Sequence, residues 1–85
     1  PVPALTGERR QDLVKIAKKI GEGHKISLRN ARRDSNDLLK EMEKESDITE
    51  DDLHRAYNRV NQMTEESTKK IDDIVAAKEQ DILEI

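Results

Sequence analysis

The sequence of 85 residues allows one small domain with little interior: 41% of it is charged, 33% is apolar, and the formal net charge is −3. A single aromatic residue, Tyr57, and the absence of Phe, Trp and Cys exclude a β-sandwich, a disulfide scaffold and a Cys-based zinc site. No apolar run approaches the ~18 residues of a membrane span, and Ala, Glu, Lys, Leu and Arg supply 39 residues, a bias that goes with long helices.

The chain opens Pro1-Val2-Pro3, without Met, signal or transit features, and so reads as a piece of a longer protein. Residues 1–5 are expected to be extended, because Pro3 pushes Val2 out of helical geometry. Thr6 is placed to cap a helix, with Glu8 in the first turn where the macrodipole favours an anion. Apolar or small residues then recur at Leu13, Ile16/Ala17, Ile20, His24, Ser27/Leu28, Ala31, Ser35, Leu38 and Met42. Steps of three and four make one helical stripe, predicting a helix over 7–45. Gly21 and Gly23 each cost about 1 kcal/mol relative to Ala inside a helix, so they mark a soft point or a close approach of another backbone.

The break falls at 46–49. Thr49 and Asp52 have capping-box spacing, and Ile48 and Leu53 have hydrophobic-staple spacing. Glu50, Asp51 and Asp52 add negative charge at the positive end of the helix that follows. Its stripe is Leu53, Ala56, Val60, Met63, Ser67, Ile71, Ile74, Lys78 and Ile82, predicting a helix over 50–84. So short a connection forces antiparallel neighbours. Pairing outward from the turn sets Leu53 opposite Met42, Val60 near Ser35, Met63 near Ala31, Ile74 near Ile20 and Ile82 near Leu13. The expected fold is all-α: a long antiparallel αα-hairpin. Val14, Ile26, Leu39, Tyr57 and Val75 flank the expected seam, and a third helix or a second copy is expected to cover them.

Charge is divided between the halves. Residues 7–40 hold ten Lys/Arg against five Asp/Glu, a balance of +5; residues 41–85 hold six against fourteen, a balance of −8. Two explanations compete: attraction between the paired helices, or a polyanion-binding face. At about 100° per residue, Lys15, Lys18, Lys25, Arg29, Arg32, Arg33 and Lys40 fall opposite the expected core stripe, with Glu22 as the one acid among them. They are therefore expected to point away from the second helix, with Arg32 at the flank. Such a ribbon suits a phosphate backbone, and Arg can also stack on an unpaired base.

Catalytic chemistry is poorly provided for. His24 falls on the stripe opposite Ile71 and reads as a seam histidine, His54 as an exposed one, and Lys78 as a snorkelling interruption of the stripe. Glu65-Glu66 and Asp72-Asp73 are adjacent in sequence and diverge by ~100°, so they make no two-carboxylate site. No zinc-protease, phosphate-loop, nucleophile-elbow or EF-hand motif occurs. Neither an enzyme nor a bound cofactor or metal is expected.

Pro3-Ala4-Leu5-Thr6-Gly7-Glu8-Arg9-Arg10, with Arg29-Asn30-Ala31-Arg32-Arg33-Asp34-Ser35-Asn36-Asp37, resembles ribosome recycling factor. The acidic turn Ile48-Thr49-Glu50-Asp51-Asp52 and the closing Ala77-Lys78-Glu79-Gln80-Asp81-Ile82 fit the same family, so the likeness covers essentially the whole chain. The resemblance implies an L-shaped protein of two domains, a three-helix bundle and a small β-rich domain inserted after the first helix. This chain looks like the second and third helices of that bundle, a partial helical domain over 1–85, with the N-terminal helix and the inserted domain absent. The missing helix would be replaced by another chain or copy. The family binds the large ribosomal subunit after termination of protein biosynthesis and acts with elongation factor G to split the subunits. Its middle helix sets basic side chains against large-subunit rRNA. Carried over, these are Arg10, Arg29 and Arg32, with Arg33 beside them, and Lys18 and Lys25 join them from the ribbon. Gly7, where the family usually has an acid, and the Gly21/Gly23 pair depart from its pattern. The resemblance and the lack of cysteine suggest the cytoplasm, with an organellar matrix or stroma as the other setting. The rival expectation is a non-catalytic antiparallel coiled coil that dimerises and binds no RNA.

Overall fold

The computed structural model describes residues 6–84, so the extended segment expected at 1–5 lies outside the described residues. Two helices, α1 (Gly7–Lys44) and α2 (Glu50–Leu83), make an antiparallel hairpin of 65 × 17 × 15 Å. Among the described residues there is no strand. No helix there is long and apolar enough to cross a membrane.

Each helix starts on a threonine cap. Thr6 Oγ1 accepts from the Arg9 N–H at 3.1 Å. Thr49 and Asp52 complete a reciprocal box: the Asp52 N–H donates to Thr49 Oγ1 at 3.1 Å, and the Thr49 N–H donates to Asp52 Oδ2 at 3.2 Å. Between them α1 closes with a Schellman motif. Ser46 takes a left-handed φ of 63°, its N–H donates to Glu43 O at 3.0 Å, and the Asp47 N–H donates to Met42 O at 2.9 Å. These bonds satisfy carbonyls that a helix end otherwise leaves without partners. Ile48 then packs half-buried beside the turn, and Leu53 is 3% exposed.

The longitudinal register is the expected one. Leu13 and Ile82, Ile20 and Ile74, and His24 and Ile71 line one open groove. Ala31 and Met63, and Ser35 and Val60, line a second. The rotation of α1 differs. Its side against α2 carries Val14 and Gly21, both buried, with Ala17, Leu28 and Leu39 half-buried. That seam lies roughly 80° from the centre of the expected stripe. Val14, Leu39, Tyr57 and Val75, expected at the flanks, are thus buried or half-buried, while Ile16, Ile20, Leu38, Met63 and Ile74 are exposed. His24 is likewise exposed on the groove instead of packed in the seam. The physical reason is the width of the apolar stripe: it exceeds one helix–helix contact, so only one edge of it meets α2.

At Gly21 a side chain of α2 packs directly on the α1 backbone. A Cβ built there would lie 2.5 Å from Val75 Cγ2, whereas one at Gly23 would meet nothing within 4 Å. Of the glycine pair only Gly21 is closely approached, and by the side chains of Val75 and Ile71 instead of the expected backbone. Val14 and Leu53, near opposite ends of the rod, are the only buried apolar side chains among the described residues. The middle is looser, and Asn36 Oδ1 is buried there without a hydrogen-bond partner.

Candidate nucleic-acid interface

The rotation of α1 divides the predicted cations into three groups. Arg10 and the lysines of the seam edge are engaged with α2. Arg10, half-buried, donates from Nη1 to Ile82 O and to Glu84 O, both at 2.8 Å. The last turn of α2 holds no basic residue of its own, so Arg10 supplies the cation that its negative end favours. Lys25 Nζ donates to Asp72 Oδ1 at 2.7 Å and lies 3.7 Å from Glu22. The bond to Asp72 holds the Lys25 ammonium above its ordinary value, against a smaller opposing effect of desolvation. Lys18 Nζ lies 3.7 Å from Glu79.

The expectation that the ribbon turns away from α2 is therefore corrected for Lys18 and Lys25. With the seam at Val14, Gly21 and Leu28, these lysines sit at its edge and reach across it. They follow a rule legible in the sequence: Lys18 and Lys25 are seven residues apart on α1, and Glu79 and Asp72 seven apart on α2, in the antiparallel order. A heptad step returns a side chain to nearly the same side of the helix, so matched charges form a ladder beside the apolar seam. Charge attraction and an outward basic face are both present, on neighbouring strips of one helix.

The second group pairs within α1. Arg29 Nη2 bonds to Glu22 Oε1 at 3.2 Å, and Lys40 lies 3.6 Å from Glu43. The third group, Lys15, Arg32 and Arg33, is exposed and makes no ion pair among the described residues. Arg32 stands at the edge of the hairpin, over a groove with Thr64 and Ser67 on one side and a cleft shared with Arg29, Glu65 and Lys69 on the other. An unpaired guanidinium with five donors, beside a second one held only by an exposed bond, offers donors of the kind that a phosphate or a base edge accepts. Among the described residues no group of three or more His, Cys, Asp or Glu could hold a metal ion.

The family model for ribosome recycling factor matches residues 1–83. The chain is 54% identical over 84 residues to the ribosome-recycling factor of Staphylococcus saprophyticus and 57% identical to that of Staphylococcus epidermidis. It is 49% identical over 85 residues to that of an Anaeromyxobacter strain. These matches take in 99–100% of this chain and 45–46% of each relative, so the chain spans about half the length of the curated relatives it matches.

Proposed function

The chain belongs to the ribosome recycling factor family, and from that premise we propose that it serves ribosome recycling after termination by docking α1 on large-subunit rRNA. The mechanism is binding, with no covalent step. The observation that carries it is the exposed pair Arg32, at the edge of the hairpin, and Arg33, free of ion pairs among the described residues, beside Arg29 on one helix. Each phosphate contact releases condensed counterions, and a straight rod presents its contacts at a fixed spacing. Lys18 contributes more weakly: its side chain is 59% exposed and its pair with Glu79 is long, so its donors are within reach of a phosphate. Lys25 is 23% exposed and committed to Asp72, and Arg10 to the end of α2; both act by holding the hairpin together. Elongation factor G supplies the work of subunit separation by GTP hydrolysis, and the cytoplasm or an organellar matrix is the setting. The 85 residues alone bind large subunits without splitting ribosomes.

The test is binding to isolated large subunits at two salt concentrations. Three contacts predict about a fortyfold loss between 50 and 200 mM salt. Arg29→Ala with Arg32→Ala should weaken binding at the lower salt and flatten that dependence. Equal binding by the double variant removes this face from the mechanism. The exposed Ile16, Ile20 and Ile74 favour a second reading, dimerisation through the groove. A sedimenting dimer that is indifferent to salt and binds no subunits would establish it instead.

A further inference from the structure

The charge ladder has a third rung in the sequence that the structure leaves open. Seven residues beyond Lys25 stands Arg32, and seven before Asp72 stands Glu65, yet no ion pair joins them. Between them lies a cleft of about 370 Å³, walled by Arg29 and Arg32 on α1 and by Glu65, Thr68 and Lys69 on α2. Asp72 at its end is taken by Lys25.

Resting on the rRNA-docking reading, we propose that this open rung seats one unpaired guanine of the RNA, with Arg32 donating to O6 and N7 and Glu65 accepting from N1–H and N2–H. The chemistry of the walls selects the ligand. A phosphate alone would leave the Glu65 carboxylate facing an anion. An apolar group would leave two opposite charges desolvated and apart. The occupant must present acceptors to one wall and donors to the other. Guanine does so, carrying two acceptors on one edge and two donors on the adjoining one. Uracil has one ring donor between two carbonyls, adenine lacks the paired acceptors, and cytosine, with N3 and O2 as acceptors, has a single amino group where guanine offers the carboxylate two donors. The base must be unpaired, because pairing occupies N1–H and an A-form helix sets O6 and N7 in a deep, narrow major groove that side chains cannot read. Lys69, exposed and without an ion pair among the described residues, is available to the phosphate of the same nucleotide.

Kethoxal reacts with guanine at N1 and N2, the edge assigned to Glu65, so probing isolated large subunits with and without the 85-residue chain tests the assignment. Expected are an unpaired guanine protected by the chain, loss of that protection with Glu65→Gln, and about tenfold weaker binding by that variant. Glu65 is exposed, so the variant should keep the parent's helical circular dichroism. Binding that is lost in the double-arginine variant but protects no guanine overturns the cleft and leaves docking intact. So does a protected guanine indifferent to Glu65→Gln. Tighter binding by Glu65→Gln also overturns it, since relief of repulsion would mean that phosphate occupies the cleft. Failure of the parent chain to bind overturns docking and cleft together.

Discussion

Gly21 and Gly23 lie two residues apart in one helix and should respond oppositely to the same change. Replacing either by alanine gains about 1 kcal/mol of helix propensity. At Gly23 nothing opposes the gain, because the new methyl group enters open space. At Gly21 the methyl carbon would lie 2.5 Å from Val75 Cγ2 and 3.6 Å from Ile71 Cγ2. Val75 is a β-branched side chain held close to its own backbone, so it must change rotamer or the helices must part. Overpacking of this kind costs about 1–3 kcal/mol, leaving Gly21→Ala between neutral and about 2 kcal/mol destabilising. For a domain of this size 1 kcal/mol moves the midpoint by about 4–8 °C. Thermal unfolding followed by far-ultraviolet circular dichroism should therefore place Gly23→Ala above the parent and Gly21→Ala level with it or as much as about 16 °C below. In a Val75→Ala background Gly21→Ala should recover the propensity gain, since the two sites are coupled by contact. Equal stabilisation by both single variants would refute the packing of Val75 on Gly21.

Three further outcomes follow from the helix ends. Ser46→Gly relieves a left-handed backbone that serine adopts at a cost, so it should raise urea-unfolding stability by roughly 0.5–1 kcal/mol, whereas Ser46→Val should lower it. The Thr49 backbone N–H, the Thr49 hydroxyl and Arg55 hold the Asp52 carboxyl below its ordinary value. A depressed folded value stabilises above the unfolded value, near 4, and the benefit is lost as pH falls through the folded one. Asp52→Asn should therefore melt below the parent at neutral pH, and the gap should close on acidification below about pH 4. Arg10→Ala frees the carbonyls of Ile82 and Glu84, so hydrogen exchange should quicken over residues 80–84 while amides near Leu53 keep their protection.

Pattern alone carried the hairpin a long way. The three-and-four spacing gave helix type and length, and the Thr49–Asp52 and Ile48–Leu53 pairs gave the turn and hence the register, because both signals are local. Rotation about the α1 axis was not local. Ile16, Ile20 and Leu38 are as apolar as Val14 and Leu39, and periodicity cannot say which edge of a wide stripe meets α2. That one angle decides whether Lys18 and Lys25 face outward or across the seam. The heptad match of Lys18 and Lys25 with Glu79 and Asp72 was the signal that resolves it, since charges at a seven-residue step imply a seam beside them. The Arg10 bonds were out of reach of any such pattern, for they depend on where the far end of α2 comes to rest.

The hairpin is held at both extremities, by the capped turn with Leu53 at one and by Arg10 on the carbonyls of α2 at the other. Its middle, around Ala31, Ser35, Thr64 and Ser67, contains no fully buried residue. A beam anchored at its two ends and thinly packed between them is pried open more easily at mid-span than at a tip. The stretch beside Arg32 is thus the part of the hairpin that burial ties down least, and a ligand lodged there displaces no packed side chain.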